Sequence, residues 1–147
     1  MFLDALTLVS DAQALTATAV STNTIDLGSS SPARDIGAGE SIGFGISVDV
    51  AGDRTTADET YTVEVIQSAA ANLSSPTVLA SQLLPATGIA VGALSFIAVP
   101  MGVVTQRYLG LRYTLAGTTP SITVTAWLTS RALFSIASRH YAKGYSI

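Results

Sequence analysis

Two stretches near the end of the chain repeat with a period of two, and only a pleated backbone satisfies that period. In Arg107 to Leu115, Leu109, Leu111, Tyr113 and Leu115 alternate with Tyr108, Gly110, Arg112 and Thr114; in Ser121 to Thr129, Ile122, Val124, Ala126 and Leu128 alternate with Thr123, Thr125 and Trp127. Successive side chains of a strand point to opposite faces, so each stretch has one aliphatic face and one mixed face. The turn segment AGTTP between them predicts an antiparallel hairpin, with aliphatic inner faces and with Tyr108, Arg112 and Trp127 on its outer faces.

The same reading extends upstream. Thr16 to Leu27 is rich in Thr and Val and stops at Gly28, followed by the loop-like SSSPA. In Ile42 to Val48, Ile42, Phe44, Ile46 and Val48 alternate with Gly43, Gly45 and Ser47, which predicts a half-buried strand. Polar AGDRTTADE leads into TYTVEVIQ, where Tyr61, Val63 and Val65 share one face and Thr62, Glu64 and Ile66 the other. Shorter strands are expected at Thr77 to Leu83 and Ala93 to Val99, the latter stopped by Pro100 and Gly102. About seven or eight strands at short intervals predict an all-β antiparallel sandwich or barrel. No repeat of solenoid or propeller length is present.

A chain of 147 residues fits one domain spanning residues 1–147. Residues 1–15 are set apart as an N-terminal segment. Residues 131–147 break the alternation and read either as an arm that packs on a neighbour or as a final strand of the same sandwich. With no cysteine, the chain has neither disulfides nor thiol chemistry. Its apolar runs are too short for a membrane helix, and Asp4 and Asp11 give the N-terminus no secretory-signal pattern.

Charged residues make up 12% of the chain, about half the usual share, so the surface is weakly guarded against association. All ten carboxylates lie between Asp4 and Glu64, whereas Val65 to Ile147 carries Arg107, Arg112, Arg131, Arg139 and Lys143 and no acid. Five cations over that length are too sparse for a nucleic-acid surface. They are expected to meet acidic strands of the same sheets, or an acidic partner.

Catalytic chemistry finds no constellation. His140 is the one histidine and sits among Arg139, Tyr141 and Lys143, which disfavours a metal. Asp49, Asp53, Asp58 and Glu59 surround one loop, but their spacing matches no EF-hand and Arg54 interrupts them, so a solvated loop is expected rather than calcium. No phosphate loop, serine elbow or S-x-x-K motif occurs. The expectation is a non-enzyme with no cofactor, metal or small-molecule substrate, and with neither nucleic acid nor membrane as partner. Trp127 beside Tyr108 reads as a protein interface, or alternatively as a stacking platform for a carbohydrate or host ligand. The expected partner-binding residues are Tyr108, Arg112, Trp127, Arg131, Phe134, Tyr141, Lys143 and Tyr145, with Phe2 and Leu3 as a second anchor.

SDAQALTATAVSTNTIDLG (Ser10 to Gly28), RDIGAGE (Arg34 to Glu40), RYLGLRYTLAGTTPSITVTAWL (Arg107 to Leu128) and the ending YAKGYSI together resemble the capsid cement, or decoration, proteins of short-tailed phages, a family typified by the cement protein of a Bordetella phage. The resemblance covers nearly the whole chain, with Ala69 to Val99 the loosest part. It implies a jelly-roll sandwich on the outer surface of the virion head, made in the host cytoplasm. It also implies that the partners are the phage major capsid protein and further copies of the chain, as a homodimer or a trimer.

Overall fold

Alternation turns into strands wherever one face finds a core. The structure, a computed structural model, describes residues 4–28 and 39–134. Nine strands form in the described residues: β1 (Leu8–Leu15), β2 (Ala19–Val20), β3 (Ile25–Asp26), β4 (Ile42–Val50), β5 (Thr60–Ser68), β6 (Thr77–Leu83), β7 (Leu94–Ala98), β8 (Tyr108–Ala116) and β9 (Ile122–Ser130). One turn of 3-10 helix, Ala86–Ile89, bridges β6 and β7. The strands make two antiparallel sheets, one ordered β1-β9-β4-β7 and the other β2-β8-β5-β6, with β3 also on β8.

β2 and β3 pair with different parts of β8 and act as one interrupted strand. On that count the first strand pairs with the last, the second with the second last, the third with the third last, and the middle two with each other. This is the pairing of one long antiparallel ribbon rolled up on itself, a jelly roll. The inner faces meet in a core that includes Val9, Phe44, Ile46, Val63, Val65, Leu109, Leu111 and Val124, all essentially inaccessible.

The predicted hairpin does not form. β8 and β9 occupy their expected positions but lie in opposite sheets, so their aliphatic faces meet across the core instead of side by side. Residues 117–121 arch from one sheet to the other. Gly117 adopts φ +102°, and a Cβ there would come within 2.6 Å of the Asp58 carbonyl oxygen and the Glu59 Cα. The arch is tied down by Tyr61, whose hydroxyl donates to the Asp53 carbonyl (2.8 Å) and accepts from the Ser121 N–H (3.2 Å).

A second difference concerns the N-terminal segment: residues 8–15 are not an appendage but β1, the edge strand against β9. Two register shifts and Ala12 at φ 42° break its period, which hides it from a pattern reading. The shifts turn both Val9 and Ser10 inward, and Ser10 Oγ meets the buried Tyr113 hydroxyl at 2.8 Å and donates to Gln13 Oε1 at 2.7 Å.

The topology sorts the connections between two ends. Residues 16–18, 51–59, 84–93 and 117–121 gather at one; residues 4–7, 69–76, 99–107 and 131–134 gather at the other.

Candidate partner-binding site

Trp127 projects from the outer face of the β1-β9-β4-β7 sheet, yet it is only 4% exposed. Gly45 lies opposite it in register, and a Cβ at Gly45 would approach the indole to 2.9 Å. Gly43 and Gly45 remove two side chains from this face, and the rings of Phe96 and Trp127 lie over the bared backbone. After β9 the chain turns helical at residues 131–134 and places Phe134 on top, 5.3 Å from the Phe96 ring and 6.5 Å from Trp127 between centroids. Arg131 lies over the Phe96 ring at 5.1 Å. This start of the expected arm therefore packs on the chain's own sheet.

The expected exterior position of Trp127 is thus corrected. The indole faces outward from the sandwich but is covered by Phe134, a residue beyond its strand that period-two reasoning does not reach. A platform joining Trp127 to Tyr108 does not exist either, because Tyr108 belongs to the opposite sheet. Phe96, which the pattern reading passed over, is the ring that links Arg131 and Phe134.

On the outer face of the other sheet, Arg112 stands in register with Glu64 and donates Nε to its Oε2 at 2.6 Å; Thr114 Oγ1 donates to the same oxygen at 2.8 Å. The guanidinium and the hydroxyl hold the Glu64 carboxyl below its ordinary range, and the hydrogen bond to Glu64 raises Arg112. Arg107 grips Asp26 with two bonds of 2.8 Å, and its guanidinium sits 5.0 Å from the centre of the half-buried Tyr108 ring. Acidic and basic strands do neighbour each other, so two of the late cations are partnered within the sheet.

The acidic loop is occupied with its own shape. Asp53 accepts from the Thr55 N–H (3.0 Å), Asp58 from the hydroxyls of Thr56 (2.6 Å) and Thr118 (2.9 Å), and Asp49 from the Thr125 hydroxyl (2.6 Å). Hydrogen bonds from Thr hydroxyls are the main cause that holds Asp53, Asp58 and Glu59 below their ordinary range. Among the described residues no three His, Asp or Glu side chains converge as metal ligands. No helix of the described residues is long and apolar enough to cross a membrane.

At the end holding residues 4–7, 99–107 and 131–134, Leu6 is exposed at 84%, Met101 at 67%, Leu133 at 64% and Val103 at 42%; the opposite end exposes Val50, Leu83, Val91 and Leu94. The β7–β8 loop that presents Met101 and Val103 is anchored by the buried Gln67, whose Oε1 accepts from the N–H groups of Thr105 (2.8 Å) and Gln106 (3.1 Å). Met101 and Val103 escaped the sequence reading because Pro100 and Gly102 signal only a strand stop. Of the residues expected to bind partners, the structure brings Trp127, Arg131 and Phe134 together, sets Tyr108 and Arg112 on the far sheet, and leaves Phe2, Leu3, Tyr141, Lys143 and Tyr145 outside the described residues.

No curated protein matches the chain. The family model described as Bbp16 matches residues 9–128, a span from β1 to near the end of β9 that takes in both sheets. With that match extending over most of its length, the chain belongs to the Bbp16 family of phage proteins.

Proposed function

We propose that this protein is a capsid cement protein that binds the outside of the phage head and bridges neighbouring major capsid protein subunits, stabilising the expanded shell. The observation that carries this reading is the end of the sandwich with the pinned loop. Leu6, Met101, Val103 and Leu133 stand exposed around one end of a sparsely charged chain from a phage protein family. Apolar side chains held out by a pinned loop suit a standing interface, since such a patch is otherwise an association hazard. Arg131 and Phe134 flank that end and belong to the same surface. Tyr108 and Arg112, with Phe2, Leu3, Tyr141, Lys143 and Tyr145, are offered as further contacts, either to the shell or to another copy in a homodimer or trimer. Trp127 contributes from beneath by supporting Phe134.

In this reading the protein catalyses no reaction and takes no cofactor. Binding to the assembled shell stabilises it by mass action, and many repeated contacts on a lattice add avidity to individually weak ones. The test is sedimentation of the purified protein with expanded heads that lack it. Saturable co-sedimentation that falls when Met101 and Leu133 are both replaced by Asp is the expected result; failure of the unaltered protein to sediment with heads would overturn the reading.

A further inference from the structure

Among the described residues, the four sheet edges are not equally guarded. β1 carries Asp11 and two register shifts, β6 carries a shift opposite Val65 and Ile66, and β2 and β3 are two residues each. Bulges, charges and shortness are the usual means of preventing a foreign strand from adding to an edge. β7, LSFIA, has none of these: its register with β4 is unbroken, it has no charge and no proline, and it runs five residues. The Val99 N–H bonds the Ile42 carbonyl and the Val48 N–H bonds the Ala93 carbonyl. By the alternation of an antiparallel ladder, the N–H and C=O groups of Leu94, Phe96 and Ala98 therefore point away from β4.

A groove of about 510 Å³ runs along this edge. Pro85, Gly88, Leu94, Phe96, Arg131 and Phe134 are among the residues that line it. None of the described residues lining it is acidic, and among the described residues Arg131 meets the Phe96 ring but no carboxylate. Five residues of strand extend about 17 Å, so the edge offers a register as well as a trough.

We propose that the β7 groove receives an extended strand of the partner protein by β-addition, with small or apolar side chains over Phe96 and Leu94 and a carboxylate that reaches Arg131. This rests on the reading above that the partner is a shell subunit. Charge selects a foreign strand over a second copy: two β7 edges paired about a twofold axis would bring no acid from either groove to Arg131.

The test is amide hydrogen exchange of the full chain, free and bound to expanded heads, together with head co-sedimentation of Ala98→Pro and Arg131→Glu. Proline at 98 removes an N–H that β4 does not use, so the sheet survives, and an unchanged unfolding midpoint verifies this. Binding to heads is expected to slow exchange at Leu94, Phe96 and Ala98, and each variant to weaken half-saturation about tenfold. Heads bound as tightly by both variants, with β7 exchange unchanged, would overturn the groove assignment while leaving the cement reading intact. Absence of head binding by the unaltered chain would overturn both. Protection of β7 in the free protein would assign the groove to another occupant, a second copy if it rises with concentration and a segment of the same chain if it does not.

Discussion

Gly45 shows how one missing side chain arranges a surface. Its backbone has no unusual φ; what it supplies is room, because the indole of Trp127 lies where a Cβ would stand. Gly45→Val should force the single tryptophan off the sheet and destabilise the fold by about 1–3 kcal/mol, as overpacking does. Red-shifted tryptophan emission together with a lower denaturation midpoint measures this. The ion pair of Glu64 with Arg112 makes a different prediction. Its carboxyl, like those of Asp53, Asp58 and Glu59, has a lowered pKa in the fold, so the associated stability is present above the ordinary carboxylate pKa and disappears as pH falls through the lowered values. Unfolding midpoints should therefore fall from pH 5 toward pH 2 by about the same amount in high salt for the hydrogen-bonded loop carboxylates, whereas Glu64→Gln should cost about 1 kcal/mol at neutral pH. Titrating midpoints of the parent and Glu64→Gln side by side tests both.

At the scale of elements, the arch between β8 and β9 replaces a tight hairpin turn, and Gly117 is its tightest point. Gly117→Ala should cost more than about 1 kcal/mol, since φ +102° and the Asp58 carbonyl both oppose a Cβ; equilibrium unfolding in urea measures it. The arch also marks the limit of pattern reading. Period two tells which side chains share a face, and on that ground β4 to β9 were legible nearly to their ends. It does not tell which strand lies alongside which, because two aliphatic faces meet equally well within a hairpin or across a sandwich. β1 was illegible for a local reason, since Ala12 at φ 42° and its register shifts cancel the period. Trp127 was placed on the correct face, but its cover comes from Phe134 outside the strand, so its burial lay beyond any single-strand reading. The late cations were legible as neighbours of acidic strands, because cross-strand pairing of opposite charges is general to sheets.

For the whole molecule, the rolled ribbon places its connections at two ends, and both expose apolar side chains. One end sets Val50, Leu83, Val91 and Leu94 beside the carboxylates of Asp53, Asp58 and Glu59 on a loop braced by threonines; the other presents Leu6, Met101, Val103 and Leu133 around the β7–β8 loop that Gln67 pins. In the proposed cement reading, the end with the pinned loop is the one that meets the shell. Leu6, Met101, Val103 and Leu133 add little to the fold, so replacing Met101 and Leu133 by Asp should leave unfolding midpoints within about 0.5 kcal/mol of the parent while abolishing attachment. The measurement that goes straight to the central claim is the rupture temperature of expanded, DNA-filled heads, bare and saturated with the protein. A cement role predicts that decorated heads rupture at a higher temperature and that the Met101→Asp, Leu133→Asp variant gives no such rise. Heads that bind the protein at saturation yet rupture at the bare-shell temperature would contradict it.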